Sequence, residues 1–345
     1  MEQKMSGCFL VGVTGPGWTL SGKALLGSVS DDPYDVRTFM KSVHPEGALA
    51  HLGTELVSTS EHTLTERGYF ARPGETTRGI NEAGLAFTCA MVIEDPDQAP
   101  HETSTPYADI TEEMMKRCKT VEEAIDLFQS KGRVTPAYSV LMADAEGNLA
   151  HLEVGNHGIS IYERHDPQNP GAVFAVNCYL SKSLVHYNAP HTLITDKENN
   201  NAARRSRGVD LARQLEGKLD VKSLAELLSD HQNRERDPMS NPILAAWGYS
   251  ICNHGTRKSD VYPKEDLPWG TVSAEILEPS TREFWYAYGW PCGGPKEHGD
   301  QLFQENSWGR FVAFEMKPGK GVLPLSTPSG EITAEGKSRS STKAL

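Results

Sequence analysis

Gly7-Cys8-Phe9-Leu10-Val11-Gly12-Val13, followed by Thr14-Gly15-Pro16-Gly17, is the stretch on which the reading of this chain turns. Cys8 to Val13 is a short apolar run of strand length. The Gly-Pro-Gly that follows supplies the dihedrals of a reversal. Ala24 to Val29 then reads as the returning strand. The chain thus opens on a hairpin with Cys8 as the first residue of its first strand.

Outward from that hairpin, residues 30–80 read as less regular. Gly79-Ile80-Asn81-Glu82-Ala83-Gly84-Leu85 reads as a turn feeding a strand, Leu85 to Val92, with Asn81 serving the turn. Residues 94–108, rich in Pro, Asp and Thr, read as a surface loop. Asp109 and Glu112 have the spacing of a capping box, and Ile110, Met114 and Cys118 recur at helical intervals. Thr120 and Glu123 form a second box ahead of Val121, Ala124, Ile125 and Phe128. A β meander follows over Ala137–Ala143, Leu149–Val154 and Ile159–Tyr162, then a further strand over Val173–Asn177. Residues 199–216 read as a basic helix, and Asp220 caps another. Ala245–Cys252 reads as a strand, and Thr271–Leu277 with Glu283–Tyr288 as a last hairpin. Beyond Leu325 the chain is rich in Ser, Thr, Gly and Lys, and reads as a disordered tail. Antiparallel strands in runs, with helices in separate blocks, make an α+β chain.

Composition narrows the function classes. The 345 residues carry a net charge of −12, which disfavours nucleic acid as a partner. No apolar run is long enough for a membrane span, and no basic region with a hydrophobic core marks a secretion signal. The expected compartment is the cytoplasm. The six cysteines include no CxxC pair; most read as small buried hydrophobes rather than disulfide or metal partners.

Cys8 is singled out by its position. Removal of the seven preceding residues would make it the first residue, and a terminal cysteine carries a nucleophile and a base together, because its α-amine titrates near neutral pH. Several segments, in order, carry a family resemblance: Gly7-Cys8, Thr19 to Pro33, Gly79 to Leu85, Thr120 to Ile125, Phe174-Ala-Val-Asn-Cys-Tyr-Leu-Ser181, Asn201-Ala-Ala-Arg-Arg205, Ser250-Ile-Cys-Asn-His254, Thr271 to Ile276 and Gly289-Trp-Pro-Cys292. The ordered set resembles the isopenicillin N acyltransferase and choloylglycine hydrolase-like group of N-terminal-nucleophile hydrolases.

The resemblance implies a four-layer αββα sandwich of two antiparallel sheets, residues 8–325 forming one domain, 1–7 a leader removed by self-cleavage, and 326–345 the tail. It implies that Cys8 is the acyl-accepting thiol. Asp31, with Asp32 as the neighbouring alternative, would orient the amine. Asn177 would donate to the developing oxyanion, and Arg205 would be the helix arginine near the site. It implies no cofactor and no metal ion. The substrate would be a small N-acyl or γ-glutamyl-type amide. An acyltransferase, or a binding protein that kept the fold, are the alternatives, and the sequence leaves a homo-oligomer open. Two departures stand out. Gly27-Ser-Val-Ser-Asp31 lacks the arginine that bile-salt hydrolases carry in this hairpin, and Cys89-Ala-Met91 stands where relatives present an asparagine.

Each of these residues also has a structural reading. Asp31 can cap the turn before Pro33, and Asn177 can be a satisfied buried amide. Arg204, Arg205 and Arg207 read as a solvated helix face, from which only the resemblance lifts Arg205. His254 beside Cys252 lacks further ligands at metal spacing. His151 and His157 flank a turn and read as surface. Phe284-Trp-Tyr-Ala-Tyr288 reads as sheet core, with Trp290 a pocket-lining candidate.

Overall fold

Every residue of β1 (Phe9–Thr14) is buried. This is why the strand is a run of apolar residues rather than an alternation: both of its faces meet protein. Phe9, Val11 and Val13 pack with Leu224, Leu227 and Leu228 on one side. Leu10 packs with Leu52, Ile80 and Leu141 on the other. A computed structural model of the chain describes residues 8–33, 36–58, 74–98, 103–195, 200–230, 250–253, 269–293, 306–316, 319–340 and 343–345. The leader, His254 and most of the expected strand Ala245–Cys252 lie outside these residues.

β1 pairs antiparallel with β2 (Leu25–Pro33), the hairpin that its sequence announces. β3 (Val36–His44), β4 (His51–Ser58), β5 (Arg78–Asn81) and β6 (Ala86–Met91) follow. The irregular structure expected for residues 30–80 is therefore replaced by strand over most of 36–58. Thr38, Lys41, Thr54 and Glu55 are buried there, and these polar residues hide the pattern of a core strand. Lys41 is neutralised in place, with Nζ 2.9 Å from Glu55 Oε2.

β7 (Thr105–Pro106) leads into α1 (Tyr107–Arg117) and α2 (Val121–Lys131), and β8 (Val134–Thr135) pairs with β7. Asp109 lies in the first turn of α1 rather than at its cap, where Pro106 stands. Thr120 does cap α2, its side chain accepting from Glu123 N. The meander is β9 (Tyr138–Ala143), β10 (Leu149–Gly155) and β11 (Gly158–His165), and β12 (Gly171–Ala175) crosses to the other sheet. Helices α3 (Asn200–Gln214) and α4 (Val221–Leu228) come next, α4 under a capping box of Asp220 and Ser223. The chain closes with β13 (Trp269–Glu278), β14 (Glu283–Tyr288), β15 (Val312–Phe314), β16 (Gly321–Pro324) and α5 (Ala334–Ser340).

The strands form a six-stranded sheet, β12-β1-β2-β13-β14-β15, and an eight-stranded sheet, β11-β10-β9-β6-β5-β4-β3-β16. Leu26, Met40, Ile80 and Leu141 fill the space between the sheets. Val29, Ala212 and Leu224 bind α3 and α4 to the outer face of the first sheet. Phe87, Met114, Phe128 and Met142 bind α1 and α2 to the outer face of the second. The architecture is the four-layer αββα sandwich, each sheet burying one face against helices and one against its partner.

The expected disordered tail is ordered in its described part. Besides forming α5, it lends Ser326 to β3: Ser326 N donates to Met40 O at 3.2 Å, and Ser326 Oγ accepts from Met40 N at 2.8 Å. Polar composition misleads here because the segment takes up backbone groups of a neighbouring strand and needs only Ile332 to reach the core.

α3 rests on β1 at Gly208, where a Cβ would stand 2.3 Å from Phe9 Cζ. Phe9 is fully buried and its ring has no free space beside it. Gly208→Val is expected to cost about 1–3 kcal/mol through overpacking. The measurement is a urea midpoint, which should fall with the slope unchanged; a wild-type midpoint would contradict the close approach.

Candidate active site

Cys8 stands one residue ahead of β1, half-buried, its thiol free and packed against the layer between the sheets. Register alone brings the other groups to it. β1 pairs Leu10 with Ala175; carried two residues further, that ladder sets Asn177 opposite Cys8. β1 pairs Phe9 with Val29; carried one residue further, it sets Ser30 beside Cys8 and Asp31 next along.

Asp31 is buried. Its Oδ2 lies 3.0 Å from Arg204 Nη1, and its Oδ1 accepts from Thr271 Oγ1 at 2.7 Å. Asn253 adds a side-chain contact. Burial pushes the Asp31 carboxyl up to about 6, against the opposing pull of Arg204 and of the donors from Thr271 and Asn253. The Asp31 backbone N–H is directed at the Cys8 sulfur, whereas Asp32 acts on the sulfur as a negative charge.

The helix arginine that meets Asp31 is Arg204. Arg204 is fully buried, and its Nη2 also reaches Asn201 Oδ1 at 3.4 Å. Arg205, the residue expected near the site, instead donates from Nε to Phe174 O at 3.2 Å. Arg207 pairs with Asp230 at 2.7 Å. Successive helix residues point about 100° apart, so Arg204 and Arg205 cannot both face Asp31. The expectation of a solvated basic face fails for Arg204, which is in the interior because a buried carboxylate needs it there.

Asn177 follows β12 and is buried, with Nδ2 donating to Met91 O at 2.7 Å. An amide nitrogen has two hydrogens, which leaves a second for another acceptor. Asn177 Oδ1 is buried with no hydrogen-bond partner among the described residues. The loop beyond it is tightly held: Tyr179 N donates to Asn188 Oδ1 at 2.7 Å, and Ser181 N to Glu153 Oε2 at 3.0 Å.

Sequence reasoning missed Arg78. Its Nη2 lies 3.6 Å from Cys8 Sγ, and its Nε lies 3.4 Å from Glu275 Oε2. Burial works against the Arg78 charge, but Glu275 and the adjacent thiols hold its pKa above the ordinary range. The signal lay in Glu275, which shares the polar phase of Thr271 and Ser273 in its strand and reads as solvent-facing; once the structure buries it, a buried carboxylate implies a buried cation. For Cys8 itself, burial raises the thiol pKa, Arg78 lowers it, Asp32 and Asp31 raise it, and the Asp31 N–H lowers it; the net direction is upward.

Other expectations resolve structurally. Asn81 serves its turn with its side chain, Oδ1 accepting from Ala83 N and Leu85 N at 3.1 and 3.0 Å. His151 is not at the surface; it is fully buried, and burial lowers its pKa to about 3. Phe284 to Tyr288 are core, and Trp290 is fully buried with them. Among the described residues, no group of three or more His, Cys, Asp or Glu could hold a metal ion, and no helix is long and apolar enough to cross a membrane.

The profile of the acyl-coenzyme A:6-aminopenicillanic acid acyl-transferase family matches residues 33–254, a span that includes Arg78, Asn177 and Arg204 and begins beyond Cys8 and Asp31. No curated protein matches the chain. Among solved structures, the chain is similar to penicillin V acylase from Agrobacterium tumefaciens over 94% of its own length and 94% of that chain, with 12% identity and a TM-score of 0.53. It is similar to a variant of conjugated bile acid hydrolase from Clostridium perfringens over 94% of its own length and 98% of that chain, with 10% identity and a TM-score of 0.50. At such identities the likeness is one of fold. With more than half of its length matched by the profile, the chain belongs to the acyl-coenzyme A:6-aminopenicillanic acid acyl-transferase family, on the sandwich of the N-terminal-nucleophile hydrolases.

Proposed function

We propose that the chain is a cysteine amidase of the N-terminal-nucleophile type, with Cys8 as nucleophile once residues 1–7 are released. One observation carries this reading. A half-buried cysteine just ahead of β1, its sulfur 3.6 Å from Arg78 Nη2, feels the charge of Asp31, itself paired with Arg204, and the β1–β12 ladder continued past its last pair leads to Asn177.

In the precursor, Cys8 Sγ attacks the Gly7 carbonyl carbon, the Gly7–Cys8 C–N bond breaks, and water hydrolyses the resulting thioester. The products are the leader carboxylate and a free α-amine on Cys8. That amine, neutral near its ordinary pKa of about 7.7–8.0, takes the thiol proton. The thiolate adds to a substrate amide carbonyl, and the second Asn177 hydrogen supports the oxyanion. The amine returns the proton to the leaving nitrogen, and water cleaves the thioester to a carboxylate and the thiol. Asp31 holds the α-amine, and Arg204 holds Asp31; in this reading Arg204 replaces Arg205 as the helix arginine of the site. The description of the family favours a second outcome, in which an amine rather than water takes the acyl group. The catalytic groups are the same, and product analysis with and without an added amine separates the two.

The purified protein is expected to begin at Cys8 by intact mass, and Cys8→Ala to keep its leader and lose amide turnover. Wild-type turnover in that variant would end the proposal. Asn177→Ala is expected to lower kcat by roughly 10²–10³ with KM little changed, the cost of one oxyanion donor. Amide turnover by the processed protein is expected to fall further as pH drops through about 6, because burial raises the Asp31 carboxyl from 3.8 to about 6 and its ionised form is the one that holds the amine. A turnover profile with no additional loss across that interval would remove Asp31 from the mechanism.

A further inference from the structure

The cation beside the nucleophile comes from the opposite sheet. Cys8 precedes β1 of the six-stranded sheet, whereas Arg78 opens β5 of the eight-stranded one. Arg78 Nη2 lies 3.6 Å from Cys8 Sγ and donates to Cys89 O at 3.2 Å, while Nε lies 3.4 Å from Glu275 Oε2. Glu275 is fully buried on β13 and is itself fixed: Ser28 Oγ donates to it at 2.8 Å and Ser273 Oγ at 2.5 Å. A guanidinium is a rigid planar fork, so a carboxylate against one part of it determines where the rest points.

We propose that Arg78 is a catalytic residue that stabilises the Cys8 thiolate formed when the sulfur gives up its proton, with Glu275 the residue that positions it. This rests on the reading of Cys8 as nucleophile. The groups facing the sulfur are Arg78 from β5, Asp31 and Asp32 from β2, Cys89 from β6, Tyr138 from β9 and Arg204 from α3. Burial and both aspartates disfavour a charged sulfur, and Arg78 is the foremost group that favours it. A cation at contact distance favours thiolate character at a cysteine, and Arg78 supplies one across the layer between the sheets. Glu275 prevents the guanidinium from turning to another acceptor, and Ser28 and Ser273 keep Glu275 from turning in its place.

The test is alkylation of Cys8 by iodoacetamide from acid to alkaline pH, followed by mass spectrometry of the Cys8 peptide, with the Cys118 peptide as the control for folding. Two variants remove the charge. Arg78→Gln with Glu275→Gln leaves neither partner as a lone buried ion; in Arg78→Gln alone, Glu275 takes up a proton. Each should move the alkylation midpoint upward by at least about one pH unit, a roughly tenfold slower reaction at neutral pH. Arg78→Lys should recover much of the loss. An unchanged midpoint in whichever charge-removing variant folds overturns the proposal. The thiol midpoint is measurable whether or not the protein cleaves an amide, so failure of the amidase reading and failure of the Arg78 role give different results.

Discussion

The buried pairing of Asp31 with Arg204 is the constraint around which the site is arranged. Removing two full charges from water is costly, and close contact in the interior offsets that only when the remaining donors and acceptors are satisfied. The chain meets the condition with contributions from distant parts of the sequence: β2 supplies the carboxylate, α3 the guanidinium, and β13 the Thr271 hydroxyl. Three elements are thereby locked at the end of β1 where Cys8 lies. The apolar contacts of α3 on the sheet would tolerate some sliding; the ion pair does not, because Arg204 is the main charge that offsets the burial of Asp31.

The same logic repeats between the sheets. Arg78 and Glu275 form a second buried pair, one partner from each sheet. A layer otherwise filled by Leu10, Leu26, Ile80 and Leu141 is non-directional, and would fix the distance between the sheets better than their relative shift. A charge pair with a defined geometry fixes the shift. The two pairs lie on different sides of the six-stranded sheet, one toward the helices and one toward the facing sheet, and the Cys8 sulfur feels Arg78 of one and Asp31 of the other.

What could be read from the sequence divides along physical lines. The opening hairpin, α2 with Thr120 at its cap, the meander and the Thr271–Tyr288 hairpin were legible because turns, caps and apolar runs are local signals. The segments that hold Cys8, Asp31 and Asn177 carry the family resemblance because they are short and ordered, and the strand registers run toward one another at that end of β1. β3 and β4 were not, because Thr38, Lys41, Thr54 and Glu55 occupy buried positions and break the apolar pattern. Arg204 was passed over for Arg205 since a sequence lists neighbours without the helical phase that turns one inward and the other toward Phe174. Arg78 gave no local sign at all: its meaning lies in Glu275, nearly two hundred residues away, and only a fold can pair them.

In the proposed mechanism, the hairpin that places Cys8 also bears on which peptide bond is the useful one to break. Side chains along a strand alternate between faces, so Cys8 shares its face with Leu10 and looks into the space between the sheets, while Phe9 looks toward the helices. Shift the cysteine by a single position and its sulfur would turn to the helix side, about 3.3 Å along the strand from where it stands. Trimming that left one extra residue would keep the sulfur on that face but put the free amine on Gly7, and trimming that took one too many would remove the sulfur. In the proposed mechanism, therefore, the face set by the strand and the amine set by the cut meet only at the junction between Gly7 and Cys8.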